Sequence, residues 1–240
     1  MSTLQKQRWL IKFYFVINHL KGHLVSLPFV PKAIRLKLSA NIKVNPFEGF
    51  NWSLFDLLFY SGDANGQHIT DILNLSERLN ICFYSRYAEI ISAKRVWHNG
   101  EMSSSCSGPI TTNNTLFRVS FEEGEVLRSL PKASTNENLY CFINVFSELS
   151  EHDCLTILKN AKQAVGQFSA TVVVIDAIQL EGIPNKYHAM NDMQLLLGKN
   201  TKQRTLTQWQ DLINNSDFIL TEIVEIRSSN KVLVLKPAKS

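Results

Sequence analysis

Acidic residues are missing from the first 47 positions of the chain, which carry eight Lys or Arg residues. Because the whole chain has a formal charge of only +4, the remainder is net acidic, and nucleic-acid binding based on overall basicity is excluded. Long apolar runs are also missing: "WLIKFYFVI" contains Lys12 and is shorter than the roughly 20 residues that a membrane-spanning helix needs. No signal-peptide pattern is present.

Cysteine pairs of the CxxC type are absent as well. The cysteines are dispersed, and two of them, Cys82 and Cys141, lie in apolar runs, which favours buried thiols in a reducing compartment. His19 and His23 are four residues apart, but no HExxH glutamate accompanies them, so no metal site is predicted. These features predict a cytoplasmic protein without a metal.

Residues 1–50 form a separate compositional zone, which we interpret as a basic helical extension that precedes an α/β domain over residues 51–240. The favoured interpretation is a helix whose apolar side packs on the following domain. A membrane-surface helix over residues 1–45, an organelle presequence and a dimerisation helix are the alternatives.

From residue 54 onward, apolar runs alternate with helical patterns. Strands are predicted at 54–60, 80–85, 116–121, 137–146 and 169–178, and helices at 66–79, 88–98, 150–165 and 205–217, the last capped by Thr205 or Thr207. Two final strands, 218–226 and 231–237, are joined by "RSSN" as a hairpin. The pattern predicts a doubly wound, mostly parallel sheet with a C-terminal antiparallel hairpin, and ligands at the carboxyl ends of its strands.

The order and the amino-acid sequences of several segments resemble those of one family. They are "LYCFINVFSELSEHDCLTILKNAKQAV", then "VVVIDAI", then "NDMQLLLGKNTKQRTLTQWQDLINNSDF", and finally "VLVLKP". Over about residues 54–237 the chain is similar to the S-adenosylmethionine-dependent small-molecule O-methyltransferases, which methylate hydroxyindoles and plant phenolics. The resemblance implies a seven-stranded methyltransferase-like sheet, S-adenosylmethionine as cofactor and a small hydroxylated acceptor.

The stretch "FYSGDANGQHITDIL" lies where the family has a glycine-rich cofactor turn. Gly62 and Gly66 match its glycines, which let the backbone approach the cofactor, whereas Asp63 stands where another glycine is expected. The resemblance places Ser85 at the position of the acid that binds the ribose hydroxyls. Losing a charged hydrogen bond there costs about 1.5–3 kcal/mol.

Two further cofactor positions lie in "EEGEVL". This segment matches the family's Gly-Asp-Phe-Phe stretch, with Gly124 retained and Glu125 in place of Asp. It is the best-preserved cofactor feature in the sequence.

The catalytic positions depart further from the family. Ser147 aligns with the His that accepts the acceptor's proton, and Glu148 follows it in place of Asp. Asp176 and Gln203 align with the two carboxylates that orient that His. A serine hydroxyl is no general base near neutral pH without an activator, and such proton transfer contributes about 10²–10⁴ in rate. Glu148 and His152 are the available substitutes.

These departures predict a protein with weakened or lost methyl transfer. The alternative is a catalytically inactive relative, a pseudoenzyme, that acts as a protein-interaction or dimerisation partner in a homo- or heterodimer. The family's long N-terminal helical region is represented by only about fifty residues before the first strand, so we expect the pocket roof to be missing or supplied by another chain. The sequence predicts no nucleic-acid partner.

Overall fold

The computed structural model describes residues 45–62, 67–98, 117–179 and 203–238, all of which fall within one unit, Val44–Ser240. The predicted extension up to residue 44 lies outside these ranges, as do Asp63, Gly66, residues 99–116 and residues 180–202. The division at residue 50 stays a prediction. Residues 45–50 pack on the sheet, where Phe47 is buried beside Trp52 and makes an edge-on ring contact with it.

One seven-stranded sheet organises the described residues, in the order β3-β2-β1-β4-β5-β9-β8. Its strands are β1 (Leu57–Ser61), β2 (Asn80–Ser85), β3 (Val119–Glu123), β4 (Asn138–Ile143), β5 (Thr171–Asp176), β8 (Phe218–Glu225) and β9 (Lys231–Pro237). Two short strands, β6 (Ile178–Gln179) and β7 (Arg204–Thr205), pair with each other in parallel. The predicted fold class is confirmed: β1 to β5 are parallel, and β9 and β8 form the antiparallel hairpin.

Helices cover both faces of the sheet. They are α1 (Gln67–Leu73), α2 (Tyr87–His98), α3 (Glu151–Val165) and α4 (Leu206–Asn214). Successive residues of β1 point to opposite faces: Tyr60 joins the core beneath α1 and α2, and Phe59 joins the core beneath α3 and α4. Burial on both faces explains why the strands read as unbroken apolar runs.

Several element boundaries differ from the predicted ones. Residue 54 does not begin β1, because Asn51 caps a short 3₁₀ turn, Trp52–Leu54, whose Trp52 ring is almost fully buried, and the strand begins only at Leu57. Helix α1 ends at Leu73 instead of residue 79, since the chain tightens there through a bond from the Leu75 amide to the Ile72 carbonyl. Strand β3 lies three residues later than predicted at its start, because its pairing with β2 begins at Val119.

The start of α4 resolves the choice between the two threonines. The Thr205 hydroxyl accepts a hydrogen bond from the Gln208 amide, and the Gln208 side chain accepts one from the Thr205 amide. This reciprocal capping box satisfies two amides that would otherwise lack partners at the helix start. Thr207 lies within the helix and is exposed.

We expect Thr205→Ala to lower the free energy of unfolding by about 1 kcal/mol, because the cap is lost while the helix sequence is unchanged. Urea denaturation measures it. Thr207→Ala is the matched control, for which we expect a change within about 0.5 kcal/mol. Equal losses in the two variants would contradict the assignment of Thr205 as the cap.

Candidate functional site

A cleft of about 680 Å³ opens at the carboxyl ends of β1, β2 and β4. The strand order reverses here, because β1 pairs with β2 on one side and with β4 on the other. Crevices at such switch points are the usual ligand sites of doubly wound sheets, and this volume is typical of small-molecule sites. The cleft is lined by apolar side chains such as Val126, Leu127 and Val145 and by the polar groups described below.

Gly62 and Gly124, which are the described glycines among the predicted cofactor positions, both line the cleft. A Cβ atom on Gly62 would lie 2.6 Å from the Tyr60 hydroxyl oxygen and 3.3 Å from the Ile143 carbonyl oxygen. A Cβ atom on Gly124 would overlap the ring of Tyr84, whose hydroxyl donates to the Ser129 carbonyl at 2.9 Å. Packing within the protein therefore requires glycine at both positions. Asp63 and Gly66 lie outside the described residues.

Ser85 ends β2 and lines the cleft beside Glu89, which lies in the first turn of α2. The Ser85 hydroxyl donates to the Glu89 carboxylate, and the Arg86 guanidinium donates to its other oxygen at 2.5 Å. Partial burial by itself raises the pKa of Glu89, but the hydrogen bonds from Ser85 and Arg86 outweigh it and hold that pKa below its usual value. An ionised carboxylate therefore faces the cleft at the carboxyl end of β2.

Glu125 lies on the neighbouring wall of the cleft. Its carboxylate forms an ion pair with Arg128 at 2.9 Å, in which the Arg128 side chain is exposed and the Glu125 side chain is partly buried. Ion pairs at the surface contribute little to stability, so the Glu125 carboxylate can exchange this contact for one with a bound molecule.

The predicted base position lies in a short turn after β4. Asn144 adopts a positive φ of 56°, a conformation that Asn tolerates better than most residues, and the 3₁₀ turn Phe146–Glu148 follows. The Ser147 amide donates to Asp176 Oδ2 at 2.9 Å, and the Ser147 hydroxyl lies 3.5 Å from the Asn144 carbonyl oxygen. Asp176 thus holds the backbone of the turn that carries Ser147.

Asp176 is almost fully buried at the end of β5. Burial raises its pKa, and the amides of Ala177 and Ser147, the Ser147 hydroxyl and the charge of Arg204 oppose the shift without cancelling it. Of the predicted catalytic residues, the structure brings Ser147 and Asp176 into contact and places Glu148 on the cleft wall. Gln203 is buried just before β7. His152 lies on α3, outside the cleft lining.

Arg204 was not singled out from the sequence, although it stands in the "KQRT" segment. Its guanidinium donates to the Phe146 carbonyl at 2.6 Å and to the Leu149 carbonyl at 3.1 Å, and it lies 5.3 Å from the centre of the Trp209 ring. Arg204 therefore holds the backbone on both sides of Ser147 and Glu148. The sequence did not predict this contact, because more than fifty residues separate Arg204 from the turn and only the folded chain brings them together.

Other kinds of site find no support in the described ranges. They contain no group of three or more His, Cys, Asp or Glu side chains that could hold a metal ion. Among the helices described, none combines the length and the apolar character needed to cross a membrane.

We expect Gly124→Ala to lower the free energy of unfolding by about 1–3 kcal/mol, because the added methyl group overlaps the Tyr84 ring. In a Tyr84→Ala background the same change should cost less, and thermal or urea unfolding of the four proteins in this double-mutant cycle measures the coupling. Gly124 is not among the glycines with positive φ, so backbone strain does not contribute. An equal cost in both backgrounds would contradict the packing explanation.

The pKa of Asp176 predicts a pH dependence of stability. Its folded pKa is raised above the ordinary value of 3.8, so its favourable contribution is greatest below that value and is lost as the pH rises through the folded pKa. The stability of the wild type relative to Asp176→Asn should therefore decrease with increasing pH over this range. Urea titrations at a series of pH values measure it, with Asp217→Asn at an exposed position as the control for charge removal. A growing advantage of the wild type would contradict the assignment.

Comparison with known proteins agrees with this geometry. Residues 110–219 match the model of the O-methyltransferase domain. The chain is 28% identical over 102 residues to O-methyltransferase agiB of Aspergillus flavus, an alignment that covers 42% of this chain and 35% of that protein. The chain thus spans about a third of the length of that relative.

Solved structures of methyltransferases share the fold. The mitomycin 7-O-methyltransferase MmcR has a TM-score of 0.68 at 13% identity, with 92% of this chain and 60% of that chain covered. Human N-acetylserotonin methyltransferase, solved in complex with S-adenosylmethionine, has a TM-score of 0.62 at 14% identity, with 82% and 51% covered. The resemblance to the S-adenosylmethionine-dependent O-methyltransferases is therefore confirmed, through the domain sequence over residues 110–219 and the fold of the described residues.

Proposed function

We propose that this protein binds S-adenosylmethionine in the cleft and has weakened or lost transfer of its methyl group to a small hydroxylated acceptor. The cleft supports the first part. It lies at the switch point, is large enough for a nucleotide-type ligand, and combines apolar walls with Ser85, Glu89 and Glu125 as hydrogen-bond acceptors. When bound there, S-adenosylmethionine supplies an activated methyl group.

The environment of Ser147 carries the second part of the proposal. Its amide donates to Asp176, and its hydroxyl lies 3.5 Å from the Asn144 carbonyl oxygen. Among the described residues that line the cleft, none is a histidine that could activate a hydroxyl group. The turn therefore retains the support of a catalytic position without the group that removes a proton from the acceptor.

A second candidate function is an active methyltransferase with a rearranged base. Glu148 favours it, because this exposed carboxylate lines the same cleft as Gly62 and Ser85. A carboxylate is a competent general base when it lies within hydrogen-bond reach of the acceptor's proton. The two candidates differ in which residue the rate depends on.

A cytoplasmic location is supported by Cys82, Cys141 and Cys154, which are buried free thiols, as expected in a reducing compartment.

The test combines calorimetry with turnover. We expect S-adenosylmethionine to bind the wild-type protein and methyl transfer to a panel of hydroxyindoles and phenolics to be at or near background. Ser147→His should raise the rate by at least about tenfold, within the range that general-base catalysis contributes, because Asp176 lies beside this position. Ser147→Ala is the matched control and should leave the rate unchanged.

Glu148→Gln separates the two candidates. If the wild-type protein turns over and this substitution abolishes the rate while Ser147→Ala does not, the rearranged-base function replaces the first proposal. Efficient wild-type turnover that survives both substitutions would contradict both candidates.

A further inference from the structure

A negatively charged side chain lies where strand β2 ends, but it comes from helix α2 and not from the strand itself. Ser85, the last residue of β2, is uncharged. Glu89 lies four residues later in the first turn of α2, yet its carboxylate accepts a hydrogen bond from the Ser85 hydroxyl, and both residues line the cleft. The helix therefore brings a negative charge to the end of a strand whose own side chain has none.

Helix capping explains part of this arrangement. The Ile90 amide donates to the Arg86 carbonyl at 3.0 Å, which makes Arg86 the residue before the first helical turn and Glu89 the third residue of that turn. A Glu at this position commonly lies near the capping residue's amide, and the Arg86 backbone amide is among the groups that lower the pKa of Glu89. Capping alone, however, does not require the carboxylate to lie on the wall of a ligand-sized cleft.

Glu89 and Ser85 can accept more hydrogen bonds than they receive from the described part of the protein. The Ser85 hydroxyl and the Arg86 guanidinium donate to the Glu89 carboxylate, and a carboxylate has about four acceptor positions. Because the Ser85 hydroxyl donates its proton to Glu89, its oxygen can still accept a hydrogen bond. Donation to a charged group makes this oxygen a stronger acceptor. The pair can therefore accept hydrogen bonds from two neighbouring hydroxyl groups.

We propose that Glu89 and Ser85 together bind the two ribose hydroxyls of the methyl donor, with the first turn of α2 supplying the charge that the last residue of β2 lacks. This inference rests on the proposed function, in which the cleft binds S-adenosylmethionine. An acid at the end of the second strand is the usual ribose partner in doubly wound folds. Here the acid is displaced by four residues and acts with a serine, and Arg86 keeps it ionised.

Neutralising Glu89 tests this assignment. Glu89→Gln keeps the length of the side chain and its capping ability but removes the charge. Calorimetry would compare S-adenosylhomocysteine, adenosine and 2′,3′-dideoxyadenosine, the last of which lacks both ribose hydroxyls. We expect Glu89→Gln to weaken binding of the first two probes by about tenfold or more and to change binding of the dideoxy probe by less than about twofold.

Two further variants sharpen the experiment. Ser85→Ala should weaken binding of the hydroxyl-bearing probes by roughly two- to tenfold, because it removes a neutral hydrogen bond. Glu222→Gln, at an exposed position on β8 and away from the cleft, is the matched control and should bind all three probes as the wild type does. The preference for adenosine over its dideoxy analogue is measured within each variant, so a partial loss of folded protein leaves that ratio unchanged.

The outcomes separate this inference from the proposed function. If the wild type binds S-adenosylhomocysteine but Glu89→Gln weakens all probes equally, or none, Glu89 is only a helix cap and the inference is wrong while the proposed function stands. If the wild type binds none of the three probes at millimolar concentrations, the proposed function and this inference both fail. A loss confined to the hydroxyl-bearing probes supports both.

Discussion

The backbone pairing of β1 with β2 on one side and with β4 on the other determines where everything else in the domain lies. Leu57 is opposite Asn80 in one ladder and Asn138 in the other, so three strands end at nearly the same height. Because the connections leave toward opposite sides from this point, the chain opens a crevice there without any special side chain. The position of the cleft follows from this pairing.

The turn after β4 shows how distant parts of the chain hold a single position. Asp176 binds its amide from the end of β5, and Arg204 binds its carbonyl oxygens from β7. Both contacts act on the backbone, so they hold the turn whichever side chain stands at position 147. On the proposal made above, this is how a chain with serine at the family's expected histidine position would keep the backbone support of a catalytic turn.

Predictions from the sequence succeeded where a local pattern had one physical cause. Strand β2 was located exactly, since its apolar residues are buried on both faces between β1 and β3. The start of α3 was also correct, because Ser150 caps it and acidic residues fill its first turn. The start of β1 was wrong, because Trp52 is buried through a 3₁₀ turn and not through a strand, and apolar character alone does not distinguish the two.

The sequence by itself determined the order of strands and helices, and hence the doubly wound class, because alternation and burial are encoded in neighbouring residues. The resemblance to a family singled out Ser85, Gly124 and Ser147 as candidate site residues, and their roles stay predictions. Only the tertiary structure decided what these residues contact: that Gly124 makes room for Tyr84, that Ser147 lies on Asp176 and that Glu89 joins Ser85 at the cleft. These contacts depend on how the chain turns between elements and on residues that lie far apart in the sequence. A local sequence pattern contains no information about either of these.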